Sequence, residues 1–230
     1  MKKASILISV VLAALMALAF VGCGKKTSQT PADSTQGSKA LVVYFSVNDD
    51  TAKVADTIAS ATGADTFEIK AKEAYKDEDV DFTKQDSRAA KEQADDKARP
   101  EIDGEVKEWD SYDTIFVGYP IWMNKAPKIL DTFMETYDFT DKTVVPFATS
   151  ADGADIGETA KELQTAAGDK GTWLDGKVLD ANVTEEDITA WMTELGLDLG
   201  IAAPVDATDV SDEAESETSA LSEAESTTAA

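Results

Sequence analysis

Strand-like and helix-like stretches alternate along the middle of this chain, and the alternation limits the folds open to it more than any other feature. The apolar runs at 41–45, 114–118 and 143–148 are nearly continuous, which is typical of strands that are buried on both faces of a sheet. Each run is followed by a stretch with apolar residues at helical spacing. About five such units predict a single α/β domain with a doubly wound, five-stranded parallel sheet.

The individual elements can be placed from these patterns. We expect strands at 41–45, 65–69, 114–118, 143–148 and 173–179, and helices that begin near Thr51, Pro127, Ile156 and Thr184. Gly63 fits the end of the first helix, Asn124 is a candidate cap for the second, and Thr184 to Asp187 resembles a capping box. Residues 70–112 are mostly polar, and we expect them to pack only lightly on the domain.

Composition removes several kinds of chemistry. The chain has 45 acidic and 21 basic residues and a formal charge of -24, which argues against nucleic-acid binding because phosphate-binding surfaces need excess Lys and Arg. It contains no His, and Cys23 is its only Cys. Imidazole metal sites, His-activated nucleophiles, thiolate clusters and intrachain disulfides are therefore excluded, and we predict no metal site. Any reaction that this protein carries out must therefore use carboxylates, hydroxyls, lysines or a bound cofactor.

The first 23 residues explain the single Cys. Lys2 and Lys3 precede an apolar run that ends in Gly22 and Cys23, the pattern of a signal peptide. Placed there, Cys23 resembles the lipidated residue of a bacterial lipoprotein; an uncleaved anchor or a plain secretory peptide are the alternatives. All three export the domain. A lipidated Cys23 would tether it to the outer face of the bacterial cell membrane.

The remaining boundaries follow from composition. Residues 24–39 have no apolar periodicity and are expected to form a flexible tether, and residues 40–199 form the predicted domain. Near the other end, residues 205–230 contain eight acidic and no basic residues, so we expect an acidic disordered tail over 200–230. This tail is either simply solvated or a docking segment for a basic partner.

The junction between the first strand and the first helix is a natural anion site. Unpaired backbone N–H groups and the helix dipole converge at such a point. Here, however, the connecting turn carries two carboxylates, Asp49 and Asp50. Whether these two side chains oppose an anion at this site determines much of the function.

Several blocks of the sequence resemble one known family over about residues 40–195. They are Phe45-Ser46 with Thr51, Gly118-Tyr-Pro-Ile-Trp122, Ala126-Pro127, the run from Lys142 to Phe147, and Thr149-Ser150. These blocks look like the flavodoxin-like proteins. The resemblance implies a sheet with strand order 2-1-3-4-5 and a noncovalently bound FMN, whose ring carries out the chemistry while the protein positions it.

The resemblance also implies three cofactor-binding loops. The first, which would wrap the phosphate with hydroxyls and N–H groups, comprises Ser46, Val47, Asn48, Asp49, Asp50 and Thr51. The second, which would place Trp122 against the isoalloxazine ring, comprises Pro120, Ile121, Trp122, Met123 and Asn124. The third, which would close the other side, comprises Ser150, Ala151, Asp152 and Gly153.

All three loops depart from the family pattern. In the first, Asn48, Asp49 and Asp50 stand where the family commonly has Thr, Gly and Asn. A unit charge pair about 4 Å apart repels by roughly 1 kcal/mol in water and about 4 kcal/mol at a partly buried site, so inward-facing carboxylates would oppose a phosphate. Alternatively, one of them caps the helix at Thr51.

The other two loops differ from the family as well. Met123 and Asn124 replace the Trp and Gly commonly seen in the second loop, and Ala151 and Asp152 interrupt the Gly-rich third loop. Trp122 has two possible roles, since a large aromatic residue can be a packing residue as readily as a ring contact.

Two functions are compatible with these features. The first is an exported flavodoxin-like protein that binds FMN and transfers electrons to a basic redox partner protein or to a small acceptor such as a quinone. The second is a degenerate flavodoxin fold without FMN that serves as a binding or scaffold module at the cell surface.

Overall fold

The fold is seen in a computed structural model, which describes residues 39–199. Its strands are β1 (Ala40–Tyr44), β2 (Asp65–Glu68), β3 (Lys70–Ala71), β4 (Ile102–Asp103), β5 (Thr114–Pro120), β6 (Thr143–Thr149), β7 (Thr172–Trp173) and β8 (Lys177–Val178). Its helices are α1 (Asp50–Thr62), α2 (Arg88–Ala94), α3 (Lys128–Thr136), α4 (Gly157–Ala166) and α5 (Glu185–Glu194), with a 3-10 turn at Trp109–Ser111. The predicted signal segment with Cys23, the tether at 24–38 and the tail at 200–230 lie outside the described residues.

The main sheet has the predicted doubly wound topology. Its order is β2-β1-β5-β6, with β7 and β8 both beside β6, and every pair in it is parallel. Counting β7 and β8 as one interrupted strand, this is the order 2-1-3-4-5. Helices α1 and α5 pack together on one face, and α3 and α4 pack together on the other. The sheet is therefore covered on both sides, as its continuous apolar strands predict.

The fifth strand, predicted as continuous over 173–179, is interrupted. Leu174 N donates to Val144 O at 2.9 Å and Leu179 N donates to Ala148 O at 2.8 Å, so alternate residues of β6 face this strand. Pro146 lies between those two residues and has no N–H to offer. A Cβ on Gly176 would lie 2.8 Å from both Cγ and O of Pro146, so only glycine fits at this position.

One glycine of the central strand is required by packing. A Cβ on Gly118 in β5 would lie 2.1 Å from the ring of Phe147 in the neighbouring strand β6. Phe147 is fully buried and belongs to the core on the α1 and α5 face. The absence of a side chain at Gly118 thus makes room for the largest side chain of β6.

The prediction that residues 70–112 pack only lightly on the domain is wrong. Strands β3 and β4 pair antiparallel within this segment, and α2 buries Ala89 and Gln93. Trp109 is buried and its ring centroid lies 5.1 Å from that of Phe139. The apolar residues are few and far apart in sequence, but the fold gathers them on the core.

The helix ends confirm most of the predicted signals. Gly63 ends α1 with a φ of 63°, and Thr184 and Asp187 form the capping box of α5. Helix α3 begins at Lys128 after Pro127, and Asn124 does not cap it, which corrects that prediction. Among the described helices none is long and apolar enough to span a membrane.

Candidate cofactor site

Three loops meet at the carboxyl edge of the sheet. The first loop (residues 46–51) follows β1, the second (120–124) follows β5, and the third (150–153) follows β6. Strands β1 and β5 are neighbours, and the winding of the chain reverses between them. In open α/β sheets this reversal opens the crevice in which ligands bind. The fold thus brings all three predicted loops to one edge.

The first loop presents a set of backbone donors. Lys53 N donates to Asp49 O and Ala52 N donates to Ser46 Oγ at 3.3 Å, whereas the N–H groups of residues 47–51 have no acceptor within the described part of the chain. These donors lie at the N-terminus of α1, where the helix dipole is positive. Ser46 accepts a hydrogen bond and keeps its own proton for donation. The loop has the donors that an anion requires.

The two carboxylates of this loop leave the donors uncovered. Asp49 makes no capping hydrogen bond, and its φ of 65° is the left-handed conformation that the glycine common at this position adopts easily. Asp50 accepts from Asn48 Nδ2 at 3.1 Å and pairs with Lys53 at 3.5 Å. Neither side chain caps the helix, so that alternative is wrong. Asp50 is bound along the side of α1, with its side chain 44% exposed.

The second loop is a tight turn. Trp122 N donates to Lys125 O at 2.9 Å and Lys125 N donates to Trp122 O at 3.0 Å. Met123 and Asn124 between them have φ values of 51° and 61°, as in a type I′ turn. Pro120 ends β5, and Ile121 is buried beside it. Met123 and Asn124 are thereby exposed at the tip of the loop.

Trp122, which the resemblance places against the ring, is buried among aromatic side chains. It is 7% exposed, and its ring centroid lies 5.5 Å from that of Phe45, 5.7 Å from that of Tyr75 and 5.6 Å from that of Phe82. Tyr75 and Phe82 come from the segment between β3 and α2. Trp122 thus packs within an aromatic cluster, as the alternative role considered for it requires, and its contact with the ring stays a prediction.

The third loop is closed by its own hydrogen bonds. Ser150 Oγ donates to Asp152 Oδ1 at 2.8 Å, and Ala154 N donates to Ser150 Oγ at 2.9 Å. The bond from Ser150, with the N–H of Ala154, holds the pKa of Asp152 below its usual range. Gly153 has a φ of 76°, and Ala151, Asp152 and Gly153 are exposed.

Thr149 connects the three loops, a role that sequence reasoning missed. Its Oγ1 lies 2.8 Å from Thr51 Oγ1 in a buried hydrogen bond, and its carbonyl accepts from Ile121 N at 2.9 Å. Thr51 is fully buried, and its hydroxyl is bonded to Thr149 rather than free for a ligand. A threonine at the end of an otherwise apolar strand is the signal that could have identified Thr149.

Two tyrosines near the site remain neutral. Burial, followed by the hydrogen bond to Glu92, raises the pKa of Tyr75. Burial raises the pKa of Tyr119 as well, and its hydroxyl lies 2.9 Å from Thr159 Oγ1. Neither side chain adds a charge to the site at neutral pH.

Comparison with known proteins places the domain in a family. The family model described as Flavodoxin matches residues 39–195. No curated protein matches the chain. Solved structures do: a candidate flavoprotein from Bacteroides eggerthii is 38% identical, with a TM-score of 0.66, over 70% of this chain and 99% of that chain.

Two further structures support the same conclusion. A candidate flavoprotein from Bacteroides uniformis is 38% identical with a TM-score of 0.64, over 69% of this chain and 99% of that chain. A flavoprotein from Lactobacillus acidophilus, solved in complex with FMN, is 25% identical with a TM-score of 0.52, over 67% of this chain and 98% of that chain. With the strand order and the three converging loops, these similarities show that the chain belongs to the flavodoxin family.

Proposed function

We propose that this protein binds FMN noncovalently and transfers electrons. The proposal is carried by the first loop, in which the N–H groups of residues 47–51 have no acceptor within residues 39–199. A helix N-terminus with unpaired donors is suited to a phosphate. Among similar structures, the Lactobacillus acidophilus flavoprotein was solved with FMN.

The residues present fit the cofactor. Ser46 and the N–H groups of residues 47–51 would hold the phosphate, and the second and third loops would border the ring. When bound, FMN supplies the one- or two-electron chemistry that the side chains of this chain lack. The contribution of the protein is to bind and orient the cofactor, a role that requires neither His nor Cys.

On this proposal, the carboxylates of the first loop lower the affinity for FMN only modestly. Asp50 is occupied by Asn48 and Lys53, and Asp49 is exposed. At such solvated positions a unit charge about 4 Å away opposes binding by roughly 1 kcal/mol, which corresponds to about fivefold in affinity. We therefore expect the combined Asp49→Gly and Asp50→Asn variant to bind FMN several-fold more tightly, and unchanged binding would mean that these carboxylates do not oppose the phosphate.

Export and the identity of the partner are also part of the proposal. The pattern at residues 1–23 supports export and lipidation of Cys23 at the outer face of the membrane. The formal charge of -24 favours a basic redox partner protein, and a small acceptor such as a quinone is the other possible electron acceptor. Mass spectrometry of the protein from membranes tests the lipid on Cys23.

A titration of the purified protein with FMN tests the central proposal. The crystallised chains of the two Bacteroides relatives consist almost entirely of this domain, so the chain from residue 24 onward is a suitable material. We expect quenching of flavin fluorescence at micromolar protein. Absence of quenching would refute the FMN proposal and favour the surface scaffold module, for which the self-closed third loop is the supporting observation.

A further inference from the structure

Two large apolar side chains are exposed within the described residues: Phe82, which lies beside the Trp122 ring, and Met123, which follows Trp122 in sequence. Phe82 is 45% exposed and its ring centroid lies 5.6 Å from that of Trp122. Met123 is 43% exposed and follows Trp122 in the second loop. Exposed apolar side chains that are grouped, rather than scattered, mark a place where another apolar surface is received.

Trp122 itself offers little surface to a ring in this arrangement. It is 7% exposed and surrounded by the rings of Phe45, Tyr75 and Phe82. Phe82 is the exposed member of this cluster, and Met123, the residue after Trp122, is exposed at the tip of the second loop. The apolar surface that this part of the chain offers to a planar ligand is therefore that of Phe82 and Met123.

The segment 76–86, which carries Phe82, is tied to helix α2 at its beginning and at Asp79. Before the segment, Tyr75 donates to Glu92 at 2.5 Å, and the guanidinium of Arg88 lies 3.9 Å from the Tyr75 ring centroid. Within the segment, Asp79 O accepts from Ala89 N at 2.9 Å. Such anchoring reduces the conformational entropy that a contact through Phe82 would cost.

Charge distinguishes the two ends of the site. Segment 76–86 has five acidic and two basic side chains, whereas the first loop presents unpaired N–H donors. An anionic group is repelled from the segment and attracted to the first loop. Phe45 packs against Trp122 and directly precedes Ser46, so the apolar cluster and the donor loop are continuous. A molecule with a phosphate at one end and a neutral ring at the other matches this polarity.

We propose that Phe82 and Met123 form the apolar seat for the isoalloxazine ring of FMN, and that segment 76–86 is a fourth loop of the site. This inference rests on the proposed function. It assigns the ring contact to these two exposed side chains instead of Trp122. It also assigns a role to a segment that none of the three predicted loops contains.

Affinities of Phe82 variants for FMN and riboflavin test this inference. We expect Phe82→Ala to weaken the binding of both flavins by about two- to tenfold, the range for an aromatic pair contact. The factor should be the same for both, because riboflavin has the ring and lacks the phosphate. Phe82→Tyr should bind like the unaltered chain, and Phe82→Leu should lose part of the affinity.

The exposed neighbour Gln85 gives a matched control, because Gln85→Ala changes the same segment without removing a ring. Thermal unfolding of each variant shows whether the fold is retained. Equal affinities of Phe82→Ala and Gln85→Ala would overturn the inference, as would a loss for FMN that riboflavin does not share. If the unaltered chain binds neither flavin, the proposed function itself fails and this inference falls with it.

Discussion

The first and third loops have similar residues but opposite hydrogen-bonding arrangements. Each follows a parallel strand, each begins with a serine, and each carries an aspartate. In the third loop, Asp152 and Ser150 accept the N–H of Ala154 and close the loop on itself. In the first loop, Asp49 makes no such bond, and the donors of residues 47–51 stay unpaired within the described residues.

The difference shows that an acidic residue in such a loop does not by itself cover the backbone donors of the loop. The left-handed φ of Asp49 and the pairing of Asp50 with Lys53 leave the donors of the first loop uncovered. In the third loop the carboxylate of Asp152 accepts the N–H of Ala154, so this donor is already bonded. We infer that the first loop binds the phosphate of FMN and that the third loop only borders its ring. Three predictions test these two loops and the bond that joins them.

The largest expected difference is between the two serines. Ser46→Ala removes a hydroxyl that can donate to a phosphate, and a hydrogen bond to a charged group contributes about 1.5–3 kcal/mol, so FMN affinity should fall by about 10- to 100-fold. The hydroxyl of Ser150 is bonded within its own loop, so Ser150→Ala should change the affinity by less than about threefold. Fluorescence titration with FMN measures both.

Riboflavin is the control for this pair of variants. Since riboflavin lacks the phosphate, Ser46→Ala should bind it with nearly unchanged affinity. An equal or larger loss of FMN affinity in Ser150→Ala would contradict the asymmetry between the loops.

The hydrogen bond between Thr51 and Thr149 joins the two loops, and its removal should destabilise the fold. Thr51→Val or Thr149→Val alone leaves the other buried hydroxyl without its partner, which should lower the free energy of unfolding by about 1–3 kcal/mol. The double variant replaces both groups by apolar ones of the same shape and should lose less than the sum of the two. Urea unfolding gives these values, and strictly additive losses would show that the bond does not couple the loops.

The smallest expected effect is a local pH dependence in the third loop. The pKa of Asp152 is below its ordinary value of 3.8, chiefly because Ser150 donates to it. Its contribution to stability is therefore complete above the unfolded value and is lost as pH falls through the folded value. The amide signal of Ala154 should titrate with a midpoint below 3.8. Ser150→Ala should raise this midpoint, and an unchanged midpoint would refute the assigned cause.

Much of the fold could be predicted because apolar runs and helix signals are local in sequence. The buried faces of α1 and α3 and the capping box of α5 agree with the sequence pattern. The break in the fifth strand could not be predicted, because the effect of Pro146 depends on which of the two adjacent strands its missing N–H would have faced. That orientation is fixed only by the register of β6 against both of its neighbours.

The candidate site was less predictable for a similar reason. The three loops converge as expected, since parallel strands end at one edge. The burial of Trp122, however, depends on Tyr75 and Phe82, which lie about forty residues earlier in the chain. Phe82 is a single large apolar residue in a polar stretch, and no local periodicity indicates its partner.

The interruption of the fifth strand also affects how the domain behaves beside other molecules. An edge strand with a continuous row of unpaired N–H and C=O groups is a template on which another chain can add a strand and aggregate. At this edge β7 and β8 are two residues each, separated at Gly176, and at the opposite edge β2 has four residues that include Asp65 and Glu68. Neither edge offers a long apolar ladder, and at the β7–β8 edge the break at Pro146 and Gly176 shortens the row on which another chain could add a strand.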